Sequence, residues 1–260
     1  MGNKILNKKQ INLLAPWIVP ILLILIWQVL AQIGWISTRV LPAPVAVVKA
    51  GINLASTGEL YKHIYVSAVR AMWGFIIGGL IGFVLGLING VFRWSELLLD
   101  TSVQMLRNIP HLAMIPLVIL WFGIGDVGRV FLVAIGVLFP IYINTYLGIR
   151  TVDRGLLEMG KVYGLSFWEL FWQIMLPGAL PSILVGVRFA LGIMWLTLIV
   201  AETIAANSGI GYLAMNAREF MQTDVVVFAI LLYALLGKLA DAIARLLETK
   251  LLQWHPSYQF

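Results

Sequence analysis

Few residues of this 260-residue sequence could do chemistry, and the notable ones sit inside apolar runs. The three histidines, His63, His111 and His255, are too scattered to suggest a metal cluster. Cysteine is absent, which excludes a disulfide and a thiolate-ligated metal. No Ser–His–Asp arrangement and no paired acids within an apolar run point to catalysis. No glycine-rich loop followed by Lys and Ser/Thr is present to cradle a nucleotide's phosphates. What remains are isolated polar groups in oily surroundings. Arg107, Asn108 and His111 lie in QMLRNIPHLAMIPLVILWFGIGD, and Glu202 and Asn207 lie in AETIAANSGIGYL. A charge within a membrane span is expensive and marks a functional site by default. The chemistry such groups offer is the passage or gating of a polar solute. Each has a plainer reading: Arg107 snorkels to an interface, and Glu202 is an interfacial acid reached by water or paired with Arg70, Arg188 or Arg218.

The elements that position these groups follow from composition. The chain is 61% hydrophobic and 12% charged, against about 45–50% and about 25% in soluble domains. An all-α polytopic membrane protein is the expectation. A spanning helix needs about 20 apolar residues. Six segments qualify: Leu13–Ile33, Ser67–Val91, Leu97–Phe122, Val127–Ile149, Ser182–Ala206 and Val225–Leu247. The first is too long for the apolar region of a cleavable signal peptide, so it reads as a retained span. Six spans place both termini on one side. That side carries Lys4, Lys8, Lys9, Arg93, Arg150, Arg154, Lys161, Arg245 and Lys250. The other carries Arg39, Lys49, Lys62, Arg129 and Arg218. The richer side is read as cytoplasmic, and the net charge of +6 as topology rather than nucleic-acid binding. One membrane domain, 1–260, accounts for the chain.

Within that frame, Gly74, Gly78, Gly82, Gly86 and Gly90 recur every four residues along the second span. Such a stripe lets another helix approach closely, in this chain or in a second copy. Pro110 and Pro116 should kink or break the third span. The connection from Arg150 to about Pro181 is long for a loop and therefore functional or disordered. Its residues read as structured. Asp153 caps a short helix that Gly164 ends in the left-handed conformation. Ser166 and Glu169 form a capping box opening a second helix, which Pro177 ends. Phe167, Trp168, Phe171 and Trp172 give this pair more apolar surface than water tolerates, so it needs a partner.

The pattern Glu158, five residues, Gly164, nine residues, Ile174-x-Leu176-Pro177 resembles the EAA loop of ABC importer permeases, with Met159 and Gly160 at the two alanine positions. The longer stretches LPAP, QMLRNIPHLAMIPLVILWFGIGD, LFPIYINTYLGIR, LPGALPSILVGVRFALGIMWLTLIVAETIAANSGIGYLAMNAREFMQTDVVVFAILLYALLGKLAD and LLQWHPSY are similar to permeases of the nitrate/sulfonate/taurine type, within it the aliphatic sulfonate permeases. The resemblance implies the type I ABC importer (MetI-like) fold in a bacterial cytoplasmic (inner) membrane. It implies that Glu158, Gly160, Gly164, Ile174, Leu176 and Pro177 couple to an ATPase, with Gly160 and Gly164 admitting the ATPase surface closely. It implies two ATPase subunits, a second permease copy forming a homodimer, and a periplasmic or lipid-anchored substrate-binding protein. ATP and Mg would belong to the ATPase, and this chain would bind no cofactor. Arg107, His111, Glu202 and Asn207 are the candidates for a pathway or gate. An ion-coupled secondary transporter is the competing class, but the inverted repeats and midplane acids it wants are not evident.

Overall fold

The computed structural model describes residues 8–204 and 206–254, and no strand occurs among them. Lys4, His255 and the end of the LLQWHPSY stretch lie outside the described residues. Helices dominate because a backbone in hydrocarbon must satisfy its own N–H and C=O groups. In chain order the helices are α1 (Lys8–Gln32), α2 (Pro44–Ser56), α3 (Glu59–Val91), α4 (Arg93–Arg107), a 3-10 turn (His111–Met114) and α5 (Ile115–Phe122). There follow α6 (Asp126–Arg150), α7 (Arg154–Val162), α8 (Phe167–Leu170), a π turn (Phe171–Met175), α9 (Leu176–Thr203), α10 (Ile210–Glu219) and α11 (Thr223–Leu251).

Among the described residues, four helices are long and apolar enough to span: Glu59–Val91, Asp126–Arg150, Phe167–Thr203 and Thr223–Leu251. A fifth span exists if α4 and the His111–Phe122 segment count as one; they meet at 80°. The expected third span, Leu97–Phe122, is therefore not one helix. Asn108 closes α4, Pro110 is extended, and Pro116 starts α5 within its first two positions. The apolar part of α1 with described side chains, Trp17–Gln32, is shorter than 18 residues.

The chain forms two compact units. The smaller comprises the chain up to Tyr61 with Leu213–Leu231. In it, the Phe228 ring lies on the bare backbone of Gly51, and Thr223 Oγ1 donates to the Arg39 carbonyl at 3.0 Å. Pro44, behind the extended Ala43, opens α2, as proline at a helix's first positions should.

The larger unit comprises Lys62–Tyr212 and the chain from Leu232 on. Its centre is α3, α6 and α9, with Ala71, Val133, Val137, Ile141, Ala190 and Leu198 buried together. All five stripe glycines of α3 face α6 of the same chain. A Cβ on Gly78 or Gly82 would run into the carbonyls of Ala134 and Leu138. One on Gly86 would lie 2.7 Å from Thr145, and one on Gly90 2.8 Å from Ile149. The other face of α6 meets α9 by the same device. A Cβ on Gly186 would lie 2.7 Å from Asn144, and one on Gly148 3.0 Å from the Ala179 carbonyl. In lipid, where association depends on packing rather than water exclusion, such close backbones hold the unit together.

Candidate functional site

The region from Asp153 to Pro177 folds as a capped helix pair. Asp153 accepts from the Gly155 amide at 2.7 Å. Gly164 has φ +81; its amide and that of Leu165 donate back to Lys161 and Gly160, each at 3.0 Å. The Ser166 hydroxyl and the Glu169 side chain close a reciprocal capping box.

Two details correct the sequence expectation. Pro177 does not end the second helix. The π turn joins α8 to α9, and Pro177 lies in the first turn of α9, where its missing N–H costs little. The helix therefore continues to Thr203, and neither a connection reaching Pro181 nor a span starting at Ser182 is present. Gly160, moreover, points inward. A Cβ there would lie 2.6 Å from Leu170 and 2.8 Å from Ile174, so its bare backbone admits α8 and the π turn rather than an outside surface. Leu176 packs with Ile149, Phe171, Ala179 and Ile183. Glu158 and Gly164 are exposed.

The aromatics divide between two faces. Phe171 is buried, and the Phe167 ring meets that of Phe92 at 6.1 Å, tilted by 32°. Tyr163 (78% exposed), Trp168 and Trp172, with Leu156 and Met159 of α7, face outward. The pair thus keeps part of its apolar surface against its own bundle and presents the rest.

At the other end of α6 and α9 lies a buried polar cluster. Glu202 is 1% exposed. Its carboxylate accepts from Ser67 Oγ at 2.7 and 2.8 Å, Arg70 Nη1 at 2.9 Å, the Gly211 amide at 3.0 Å and Tyr233 Oη at 3.0 Å. Arg70 also holds the Ser208 carbonyl at 2.6 Å and Asp126 at 2.6 Å. Arg129 reaches the same Asp126 oxygen at 3.0 Å. The Ile210 amide donates to Ser67 Oγ at 2.9 Å, and the Gly209 amide to His63 Nδ1 at 3.0 Å. A carboxylate so surrounded by donors compensates its desolvation and fixes the 208–211 connection onto α3. Of the three arginines considered, Arg70 is the partner; Arg188 instead pairs with Asp241 at 2.7 Å, and Arg218 lies exposed at the end of α10. Gly209 sits at φ +115 directly against the Glu202 carboxyl, a place only glycine fills.

The remaining candidates are not brought together. Arg107 is exposed at the last position of α4. His111 Nε2 lies 3.0 Å from Thr197 Oγ1 of α9, beside Gly136 of α6. Asn207 is exposed in the connection after α9. Asp126, Arg129, Ser67 and Tyr233 are absent from the sequence-based candidates. An Asp-x-x-Arg in the first turn of an apolar helix, GIGDVGR, was the available signal for two of them.

Residues 78–253 match the family model described as "Binding-protein-dependent transport system inner membrane component". The chain is 64% identical over 251 residues to an aliphatic sulfonates transport permease protein of Escherichia coli (strain K12), covering 96% of this chain and 95% of that one. It is 44% identical over 253 residues to the protein of the same description in Bacillus subtilis (strain 168), covering 97% and 92%. Among solved structures, a chain of an amino acid ABC transporter with histidines superposes with TM-score 0.57 at 16% identity, over 74% of this chain and 95% of that chain. That likeness carries the fold, the helical permease fold of ABC transporters. The chain belongs to the family of binding-protein-dependent transport system inner membrane components.

Proposed function

We propose that this chain is the permease subunit of an ATP-driven ABC importer that moves aliphatic sulfonates across the cytoplasmic membrane. The observation that carries the reading is the 64% identity, across nearly the whole of both chains, to a relative bearing that description. Two copies form the translocating dimer, with both termini cytoplasmic. An ATPase subunit docks on each copy, holding ATP and Mg, and a binding protein delivers cargo from outside. The α7–α8 pair suits the ATPase contact because its outward side chains, Leu156, Met159, Tyr163, Trp168 and Trp172, are apolar and unburied. ATP binding draws the two pairs together and hydrolysis releases them, biasing a two-state membrane dimer from a distance. The glycine-tight packing of α3, α6 and α9 makes those helices a lever that moves as one body.

Growth of a deletion strain on an alkanesulfonate as sole sulfur source tests the reading when the intact gene is returned. Growth restored on alkanesulfonate supports it. Restored use of taurine, nitrate or bicarbonate instead, with alkanesulfonate unused, reassigns the cargo. No co-purification with the cognate ATPase sinks the importer reading.

A further inference from the structure

Helix α4 buries none of its 15 residues. Trp94, Leu97, Leu98 and Met105 form an exposed apolar stripe along it. The bonds that tie it to the bundle are polar. Glu96 accepts from Tyr146 Oη at 2.5 Å and pairs with Arg150. Asp100 accepts from Tyr142 Oη at 2.9 Å. Ser95 Oγ donates to Asn89 Oδ1, and Asn89 Nδ2 donates to Tyr142 Oη at 2.9 Å. The contacts run to the end of α3 and to the last turns of α6.

Such an attachment is made to be undone. An open cleft of about 520 Å³ separates α4 from the end of α6, lined by Arg93, Glu96, Leu97, Asp100, Thr101 and Arg150. Water entering it can take over the bonds of Glu96, Asp100 and Arg150, so lifting α4 exchanges hydrogen bonds and uncovers no apolar core. Tyr142 is fully buried, and its hydroxyl is the group that would be stranded. The Asn89 amide answers it: relieved of Ser95, it can turn its oxygen to accept from Tyr142. The backbone bends at both ends of the helix. Phe92 is extended before it and Pro110 after it, and α4 meets the His111–Phe122 segment at 80°.

We infer that α4 is a releasable arm: Glu96 and Asp100 latch it to α6, and a displacement of the α7–α8 pair, acting through Arg150, unlatches it and lets it move as one piece between its two bends. The inference rests on the coupling role proposed above for that pair and adds the part that responds. Arg150 is the last residue of α6, and Asp153, the cap of α7, follows three positions later. Its guanidinium carbon also lies 5.8 Å from the centre of the Tyr146 ring. Moving Arg150 therefore disturbs both partners of Glu96 together. The other end of the arm leads to His111, whose Nε2 lies 3.0 Å from Thr197 Oγ1 of α9. A shift of α4 is thus delivered to the wall of the bundle. The latched state holds the importer at rest, so weakening the latch shifts the population toward the released state without any ligand.

The test uses the assembled importer in proteoliposomes. The chain has no cysteine, so Glu96→Cys/Arg150→Cys can be bridged by a short bis-methanethiosulfonate reagent, with methyl methanethiosulfonate as the control that labels without bridging. Bridging should cut ATP-dependent alkanesulfonate uptake at least tenfold. The control reagent should not, and dithiothreitol should restore uptake to the unbridged level. Glu96→Gln weakens the latch and should raise ATP hydrolysis without binding protein at least threefold. Glu96→Arg/Arg150→Glu rebuilds the pair in reverse and should bring hydrolysis back down; a merely structural role would lower activity and melting temperature together. Full uptake by a completely bridged importer overturns the arm, as does hydrolysis at or below the wild-type rate in an assembled Glu96→Gln importer. A reversed pair that leaves hydrolysis high overturns Arg150 as the trigger. Wild-type uptake with a harmless bridge removes the arm alone, whereas no alkanesulfonate uptake by untreated wild type removes the functional reading beneath it.

Discussion

Glu202 shows what a single residue contributes here. Five hydrogen bonds from four donor groups converge on a side chain that is 0% exposed. Truncating it leaves Arg70 buried beside unanswered donors, so Glu202→Leu should destabilise the permease by about 3–5 kcal/mol. Glu202→Gln keeps the shape and should cost less. Thermal unfolding of the two variants in detergent checks the order; equal melting temperatures for wild type and Glu202→Leu would remove the cluster's structural role. Gly209→Ala should behave like Glu202→Leu, because its Cβ would enter the carboxyl's space and its φ is left-handed. That Glu202 mattered was legible in its position within an apolar run. Its partner was not: Arg70 lies 132 positions away, and nothing local separates it from Arg188. Asp126 and Arg129 were missed because an Asp and an Arg at a helix start read locally as ordinary interfacial charges.

Among the elements, α3 and α6 meet along the whole glycine stripe. Gly78→Ala should force the helices apart, because the Cβ meets the Ala134 backbone rather than a side chain that can yield; a loss of at least about 2 kcal/mol is expected. Gly192→Ala, on the open side of α9 with nothing within 4 Å, should be neutral or stabilise by up to about 1 kcal/mol through helix propensity. Comparable melting temperatures for the two variants would contradict the packing account. The stripe itself was plain in the four-residue spacing, but a spacing names no partner, and only the fold distinguishes α6 from a second copy. The caps of the α7–α8 pair were equally legible, since Asp153, Ser166 and Glu169 act on neighbours within three positions. Pro177 misled because proline stops a helix only where its N–H is required, and the preceding π turn shifts the register so that it starts one. Ser166→Ala should cost about 1 kcal/mol of local stability. It should also lower ATPase association, read by co-purification, in proportion to the fraying of α8.

At the scale of the molecule, the polar cluster and the helix pair lie at opposite ends of the same helices, α6 and α9. α6 is locked to α9 on one face and to α3 on the other by bare backbone contacts. A displacement at the α7–α8 pair is therefore carried along the bundle instead of being absorbed by it. The central claim is that outward-facing residues of that pair couple ATP turnover to sulfonate movement. Its most direct measurement is ATP-dependent alkanesulfonate uptake into proteoliposomes holding this permease, its ATPase and its binding protein. Wild type is compared with a Met159→Ala/Tyr163→Ala double variant, two outward-facing side chains. The account predicts uptake by wild type, and at least a tenfold loss in the variant with an unchanged melting temperature of the isolated permease. Full uptake by a stable double variant, or uptake by wild type that persists without ATP, would contradict it.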